Sequence, residues 1–186
     1  MNEHLSDYIM ITEPLMTKNV LDEILSDLNE VEWRVPDAMY GYDRTCTTFP
    51  VSSAVIGNYP IPAGKLDNVK KIDNTLLRVV HKALRIYQGR FPDIHTHSDS
   101  GFDILRYDIG QYVGSHIDDH APRVLSMSIG LNDDYTGGEF RFWRNDDHII
   151  KVPSGCAIMF PPNFMYPHEV LPIKSGVRYS MLTWFV

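Results

Sequence analysis

The chain has 186 residues, 44% of them hydrophobic, and a formal net charge of -7. This length and composition are typical of one globular domain with a substantial core. The acidic balance argues against a nucleic acid or an anionic membrane as partner, because both favour clustered Lys and Arg.

Neither the cysteines nor the N-terminus indicates export. Only Cys46 and Cys156 occur, and Cys156 lies in an apolar run, where a buried thiol is more typical than a disulfide. The N-terminus lacks the basic start and apolar segment of a signal peptide, and no apolar run approaches the roughly 18 residues of a membrane span. We therefore expect a cytoplasmic protein with no membrane partner.

The first 100 residues predict helices joined by loops. In order, they predict a short strand over 9–15, a helix from the N-cap Thr17 to about Asn29, a strand over 32–35, an irregular loop over 36–64, a helix over 66–87 and a loop over 91–101. Apolar residues recur every three or four positions along the second helix, so we expect one face of it to pack against a sheet. Loops as long as 36–64 are usually functional or mobile.

The remainder of the chain predicts short strands separated by turns. The strands are expected at 102–107, 112–117, 124–131, 139–143, 148–152, 156–160, 168–172 and 178–185, with turns at 133–138, 145–147, 153–155 and 174–176. Eight such strands suggest a sandwich or barrel. The predicted class is α+β, mainly β: a double-stranded β-helix of the jelly-roll or cupin type with the N-terminal helices packed on one sheet. We expect one domain over 1–186, in which 1–100 supply helical support and substrate loops and 101–186 form the β-helix catalytic core.

A candidate metal site lies where a predicted strand ends in His116-Ile117-Asp118. Residues two apart on a strand point the same way, so His116 and Asp118 could hold one metal ion. His168 begins another predicted strand, and a sandwich or barrel can bring distant strand ends together at its mouth. Two histidines and one carboxylate on one face are the ligand set of non-haem Fe(II) enzymes.

Two other histidine groups compete for this role. His116 and His120 are four residues apart, as in zinc proteases, but that arrangement needs a helix and a glutamate base, and neighbouring Gly and Pro make a helix unlikely. We expect His120 to be a loop residue near the site. His95, His97 and Asp99 form a second cluster in a loop, for which solvent exposure is the better interpretation.

An acidic cosubstrate would require a cationic partner, and Arg178 opens the last predicted strand. Arginine binds carboxylates with two parallel hydrogen bonds. A guanidinium within an apolar strand needs an anion, which favours a binding role over a surface salt bridge. Tyr107 could donate a second hydrogen bond to the same carboxylate, or be an ordinary strand aromatic.

Four segments in this order, 106–118, 137–140, 153–160 and 167–172, resemble the 2-oxoglutarate and Fe(II)-dependent dioxygenases, most closely the prolyl 4-hydroxylase superfamily. The resemblance spans roughly residues 102–185. It implies that His116, Asp118 and His168 bind Fe(II), and that Arg178, helped by Tyr107, binds the distal carboxylate of 2-oxoglutarate. It also implies O2 as a substrate and ascorbate as the reductant that keeps iron ferrous.

The last strand refines this resemblance. Arg178 stands where collagen-type prolyl hydroxylases have lysine and oxygen-sensing prolyl hydroxylases have arginine. AlkB-like nucleic-acid demethylases have a second arginine about six residues later, where this chain has Trp184. This departure and the acidic charge both argue against a nucleic-acid substrate.

The substrate is expected to cross the metal mouth under the loops 36–64 and 91–101. Tyr40, Tyr42 and Tyr59 could line a peptide groove or anchor these loops, and Trp143 and Trp184 could shape the pocket or belong to the core. The predicted reaction is hydroxylation of a proline within a peptide or protein. The alternatives are hydroxylation of a free amino acid or other small molecule, an AlkB-like demethylase, and a non-catalytic metal-binding or peptide-binding module.

Overall fold

Helices occupy the first half of the chain and strands the second. The computed structural model describes residues 4–35, 43–96, 98–144 and 148–186. In these residues the elements are a 3-10 turn Leu5–Tyr8, β1 Met10–Ile11, α1 Lys18–Asp27, β2 Thr47–Pro50, α2 Val51–Val55, α3 Leu66–Arg90, β3 Asp103–Tyr107, β4 Val113–His116, β5 Leu125–Gly130, β6 Thr136–Gly137, β7 Phe140–Phe142, β8 His148–Ile150, β9 Ala157–Phe160, β10 His168–Val170, β11 Ile173–Ser175 and β12 Arg178–Phe185.

The strands form two main antiparallel sheets. The larger has the order β1-β9-β5-β12-β3-β2 and the smaller the order β4-β10-β7-β8, while β6 and β11 form a separate pair. One core cluster joins Leu105, Ile158 and Leu182 of the larger sheet to Phe142 and Val170 of the smaller one. The sheets therefore face each other across a shared core, which confirms the predicted double-stranded β-helix.

The helices cover the outer face of the larger sheet. Apolar residues of α3, including Val69, Ile72 and Leu76, share a second core cluster with Met127 and Met181 of the sheet. Residues alternate along β12, so Met181 faces the helices while Leu182 faces the other sheet. The prediction that the long helix packs on a sheet is confirmed, and α3 continues three residues beyond the predicted end.

The eight predicted strands are confirmed, seven with shorter bounds and the last with the bounds predicted, but several predicted loops are wrong. The segment 36–64 contains β2 and α2, and in the predicted strand 32–35 only Arg34 pairs, through an isolated bridge to Thr48. Two predicted turns contain β6 and β11, which pair with Gly137 opposite Ile173. Part of the loop prediction, residues 36–42, and the turn at 145–147 lie outside the described residues.

The cysteine prediction is confirmed, because Cys46 and Cys156 are both buried and free of disulfides. Among the residues that the structure describes, no helix combines the length and apolar character needed to cross a bilayer.

Candidate metal centre

Three predicted ligands converge where the smaller sheet meets the cleft mouth. His116 is the last residue of β4, His168 is the first residue of β10, and the two are directly paired in the antiparallel ladder. Asp118 follows two residues after His116. One donor atom from each side chain lies within 4.8 Å of the others. Strand pairing therefore brings together His116 and His168, which are 52 positions apart in sequence.

Backbone carbonyls set the orientation of both imidazoles. Nδ1 of His116 lies 2.9 Å from the carbonyl oxygen of Gly114, and Nδ1 of His168 lies 3.1 Å from that of Tyr166. A carbonyl only accepts hydrogen bonds, so each Nδ1 carries a proton, which leaves Nε2 as the ring atom that can bind a metal. A backbone bond at the second ring nitrogen is the usual arrangement of a metal-ligating histidine.

Both Nε2 atoms lie close to the Asp118 carboxylate. Nε2 of His116 lies 3.5 Å from Oδ1, and Nε2 of His168 lies 3.7 Å from Oδ2. These separations leave room for a cation between the three side chains. Two imidazole nitrogens and one carboxylate oxygen suit a non-haem ferrous ion, so the residues present fit that metal.

Burial and neighbouring groups set the charges of these ligands. Burial lowers the pKa of His168 to about 4, which keeps its imidazole neutral at pH 7. For Asp118, burial alone would raise the pKa, but the imidazoles of His168 and His116 and the Ser126 hydroxyl hold it well below the usual value. The centre thus combines the neutral imidazole of His168 with the anionic carboxylate of Asp118.

The three side chains line a cleft between the two sheets. Its empty volume, with the open mouth included, is about 520 Å³. Its walls are mostly apolar and include Phe160, Leu182 and Trp184. Such a cleft can enclose a small organic molecule beside a metal while excluding most water.

Arg178 lies on the face of β12 that carries two of these wall residues. It is 2% exposed, its Nη1 donates to Oγ of Ser180 at 2.9 Å, and its Nε has no hydrogen-bond partner in the described part of the chain. Arg178, Leu182 and Trp184 are separated by even numbers of residues, so they share one face of the strand. No described carboxylate forms an ion pair with Arg178, so its charge is available to an anionic ligand.

Tyr107 lies directly opposite Arg178 in the β3–β12 ladder. The guanidinium carbon of Arg178 is 4.8 Å from the centre of the Tyr107 ring, and Tyr107 lines the cleft. Burial, and then the neighbouring Cys46 thiol, raise the pKa of Tyr107. The phenol therefore stays protonated next to the guanidinium, as a carboxylate-binding role requires.

The competing histidines that the structure describes, His95 and His120, lie outside this group of donor atoms. His120 contributes its backbone N–H to the carbonyl of Asp118, 2.8 Å away, as a loop residue near the site. His95 is exposed, and Asp99 pairs with His81 at 3.5 Å. His97 lies outside the described residues.

The proposed aromatic groove residues differ in their positions. Tyr59 donates to the carbonyl of Glu32 and packs against Phe49, which fits a loop anchor. The indole N–H of Trp143 donates to the carbonyl of Met165, whereas Trp184 lines the cleft. Tyr40 and Tyr42 lie outside the described residues.

Sequence reasoning missed two residues that contact the site. Cys46 directly precedes β2, in a segment predicted to be loop, and its thiol is close enough to Tyr107 to raise the pKa of the phenol. Ser126 donates to Oδ2 of Asp118 at 2.7 Å. The alternation of inward and outward residues along the predicted strand 124–131 is the sequence signal that could have placed Ser126 on the cleft face. Nothing in the sequence singled out Cys46.

Fold and site together define a double-stranded β-helix protein with a His-Asp-His centre of the non-haem iron type. Residues 102–186 match the family model described as the 2OG-Fe(II) oxygenase superfamily. A curated relative, the multifunctional procollagen lysine hydroxylase and glycosyltransferase LH3 of Rattus norvegicus, is 29% identical over 92% of this chain and 22% of its own length. The chain thus spans about a fifth of that relative.

Solved structures show the same fold over nearly the whole chain. A prolyl-4-hydroxylase of Pseudomonas putida matches with a TM-score of 0.66 and 17% identity, covering 96% of this chain and 91% of that one. A prolyl hydroxylase of Trichoplax adhaerens, in complex with a hypoxia inducible factor peptide fragment, matches with a TM-score of 0.72 and 14% identity, covering 97% and 84%. These structures show a shared fold, and the match to the 2OG-Fe(II) oxygenase superfamily is carried by residues 102–186.

Proposed function

We propose that the protein is an Fe(II)- and 2-oxoglutarate-dependent dioxygenase that hydroxylates a proline within a peptide or protein. The observation that carries this proposal is the convergence of His116, Asp118 and His168 beside a cleft whose wall strand also carries the buried guanidinium of Arg178. A metal-binding module without catalysis would not need that guanidinium.

His116, Asp118 and His168 would hold Fe(II). When bound, iron supplies the activation of O2, with one oxygen atom entering succinate as 2-oxoglutarate loses CO2 and the other entering a C–H bond of the substrate. The chain itself binds and orients the reactants. Its fixed imidazole tautomers and apolar walls hold them in register and exclude water.

Arg178 would bind the distal carboxylate of 2-oxoglutarate. Its Nε lacks a partner among the described residues, and the protonated phenol of Tyr107 lies beside it. A buried guanidinium gains most from a ligand that supplies a full negative charge. This pairing would direct the 2-oxo acid end of the cosubstrate towards the metal ligands.

A peptide substrate is supported by the cleft mouth. Asp118 bonds to the carbonyl of Pro162, so the loop that follows β9 borders the ligands, and this loop exposes 73% of Phe164. The Trichoplax adhaerens prolyl hydroxylase of the same fold has a peptide bound. Peptidyl lysine is a second candidate, favoured by the procollagen lysine hydroxylase among the relatives. Ascorbate as reductant and a cytoplasmic location complete the proposal.

The test is anaerobic reconstitution with Fe(II) and 2-oxoglutarate, followed by exposure to O2 with a peptide library containing proline or lysine. We expect succinate formation coupled to a mass gain of one oxygen on proline. Oxygen on lysine would replace the proposed substrate, and oxidation of free amino acids alone would exclude a peptide. Succinate formation without any substrate that stimulates it would contradict the hydroxylase assignment.

Two histidine variants give this assay a matched control. His116→Ala removes a proposed ligand, so we expect loss of ferrous binding and of succinate formation. His95→Ala removes an exposed histidine in a loop and should keep both. Equal turnover by the two variants would contradict the metal site.

A further inference from the structure

Ser126 is the second residue of β5 and has no exposed surface. It pairs with Phe160 of β9 on one side and Trp184 of β12 on the other. Its hydroxyl donates to Oδ2 of Asp118 at 2.7 Å. Strand pairing on both sides holds the backbone of Ser126, so its hydroxyl is placed firmly beside the Asp118 carboxylate.

We propose that Ser126 is a positioning residue that fixes the Asp118 carboxylate for metal binding, an inference that rests on the proposed metal site. A carboxylate has broad rotational freedom about its last torsion. The hydrogen bond from Ser126 restricts that rotation and occupies one lone pair of Oδ2. Oδ1 receives no hydrogen bond from Ser126, so it is the oxygen better able to bind a metal. A carboxylate that binds through one oxygen rather than two leaves more coordination positions of the metal for other ligands.

The backbone of Asp118 is held independently of Ser126. Its N–H donates to the carbonyl of Pro162 at 3.1 Å, and its carbonyl accepts from Nη1 of Arg123 at 3.2 Å. Removing the Ser126 hydroxyl therefore frees the carboxylate while the main chain keeps its other bonds. This separation allows the positioning role to be tested apart from the fold.

The experiment measures metal affinity directly, without turnover. Metal-free full-length protein is titrated anaerobically with Fe(II), and in parallel with Mn(II), in competition with a chromophoric chelator. Groups that orient metal ligands typically contribute about 10- to 100-fold in affinity. We expect Ser126→Ala to raise the Kd by about 10-fold or more, and Ser126→Thr, which keeps the hydroxyl, to remain close to wild type.

Two variants serve as references. Thr183→Val also removes a buried hydroxyl of the same sheet, one that donates to the carbonyl of Gly101, and it should leave the Kd unchanged. His168→Ala removes a proposed ligand and should abolish binding. Melting temperatures of the metal-free variants show whether each fold is intact.

The outcomes separate the two hypotheses. If Ser126→Ala binds metal as tightly as wild type while His168→Ala does not bind, the positioning role is wrong and the metal site stands. If His168→Ala binds like wild type, the metal site itself is wrong. An equal loss in Thr183→Val would assign the effect to the sheet and overturn the inference. If Ser126→Ala fails to fold, Ser126→Cys takes its place, because a thiol is only a weak hydrogen-bond donor. Ser126→Cys should then bind metal less tightly than Ser126→Thr, and equal affinities of these two variants would overturn the positioning role.

Discussion

The buried guanidinium of Arg178 is the residue whose presence is hardest to explain by packing alone. It is surrounded by the rings of Tyr107 and Phe140, 4.8 and 5.7 Å from the guanidinium carbon, and its hydrogen-bond partner is the Ser180 hydroxyl. Burying a charge costs free energy unless an opposite charge compensates it. A dicarboxylate cosubstrate would provide that compensation.

Replacing Arg178 should therefore weaken cosubstrate binding. We expect Arg178→Ala to raise the KM for 2-oxoglutarate by about 10- to 100-fold, since hydrogen bonds to charged groups are worth about 1.5–3 kcal/mol. Arg178→Lys should lose less, because the charge remains while the paired geometry is lost. The measurement is succinate formation against 2-oxoglutarate concentration. Arg85→Ala, at an exposed position of α3, is the control, and an unaltered KM in Arg178→Ala would assign the residue to structure.

Asp103 gives a prediction about pH. It lies on β3, where burial raises its pKa, although Arg44 and Arg34 act in the opposite direction. The unfolded chain therefore loses the Asp103 proton at lower pH than the folded chain does. This contribution to stability is fully present below the unfolded pKa of about 3.9 and is lost as pH rises through the folded value.

Asp103→Asn should remove the loss of stability that accompanies ionisation of Asp103 in the folded protein. We expect the variant to be more stable than wild type at pH 7, with the gain shrinking as pH falls towards about 4. Urea unfolding across this pH range measures the difference, and Asp93→Asn in an exposed loop is the control. A variant less stable than wild type at pH 7 would show that pairing with the arginines outweighs burial.

At the scale of secondary-structure elements, β6 and β11 show that residues typical of turns can pair as two short antiparallel strands. Gly137 and Gly138 have φ values of +80° and +71°, a conformation that favours glycine. A Cβ on Gly138 would lie 2.6 Å from Cδ1 of Ile173 and 2.8 Å from Cδ of Arg178. This glycine therefore lets the β6–β11 pair approach the stem of the arginine.

Gly138→Ala should consequently affect both stability and cosubstrate binding. We expect a loss of more than about 1 kcal/mol in unfolding free energy, because the new methyl group meets a strained backbone, and a raised KM for 2-oxoglutarate because Arg178 is displaced. Gly89→Ala is the matched control, since it lies in α3 with nothing within 4 Å of the new Cβ and should stabilise by about 0.5–1 kcal/mol. Loss of stability with an unchanged KM would separate Gly138 from the cosubstrate site.

Periodicity explains which elements were predictable. The apolar repeat of α3 and the alternation of β12 depend on burial of one face, and burial leaves a trace in sequence. β6 and β11 are short and rich in turn residues, and their pairing depends on contacts between Ile173 and Gly137 that no local pattern encodes. β2 was missed for the same reason, because its pairing partner β3 is distant in sequence.

The site was predictable to the extent that its chemistry is local. His116 and Asp118 are two residues apart at the end of β4, and His168 and Arg178 each begin a predicted strand within the segment that carries the resemblance. Ser126 and Cys46 act on residues that are distant from them in the sequence or on another strand, and such contacts depend on strand register rather than on residue type. Sequence therefore indicated the proposed ligands, whereas the groups that hold them required coordinates.

At the scale of the whole molecule, residues 102–186 match the family model but do not contain all of the sheet that supports the site. β1 pairs with β9, and β2 pairs with β3. The core between the larger sheet and the helices includes fully buried Ile104 and Met127. Without residues 1–101 these side chains would face water, at a cost of about 1.5–3 kcal/mol each.

We therefore expect a fragment of residues 102–186 to lack cooperative folding. In urea it should show no sigmoidal transition and no ferrous binding, whereas the full chain should unfold in a single transition, as a single domain over 1–186 requires. The first half supplies the two edge strands of the larger sheet and the helical layer. Co-expression of residues 1–101 with 102–186 should therefore partly restore cooperative unfolding and ferrous binding. A fragment that unfolds cooperatively and binds iron alone would show that the first half is a separate unit.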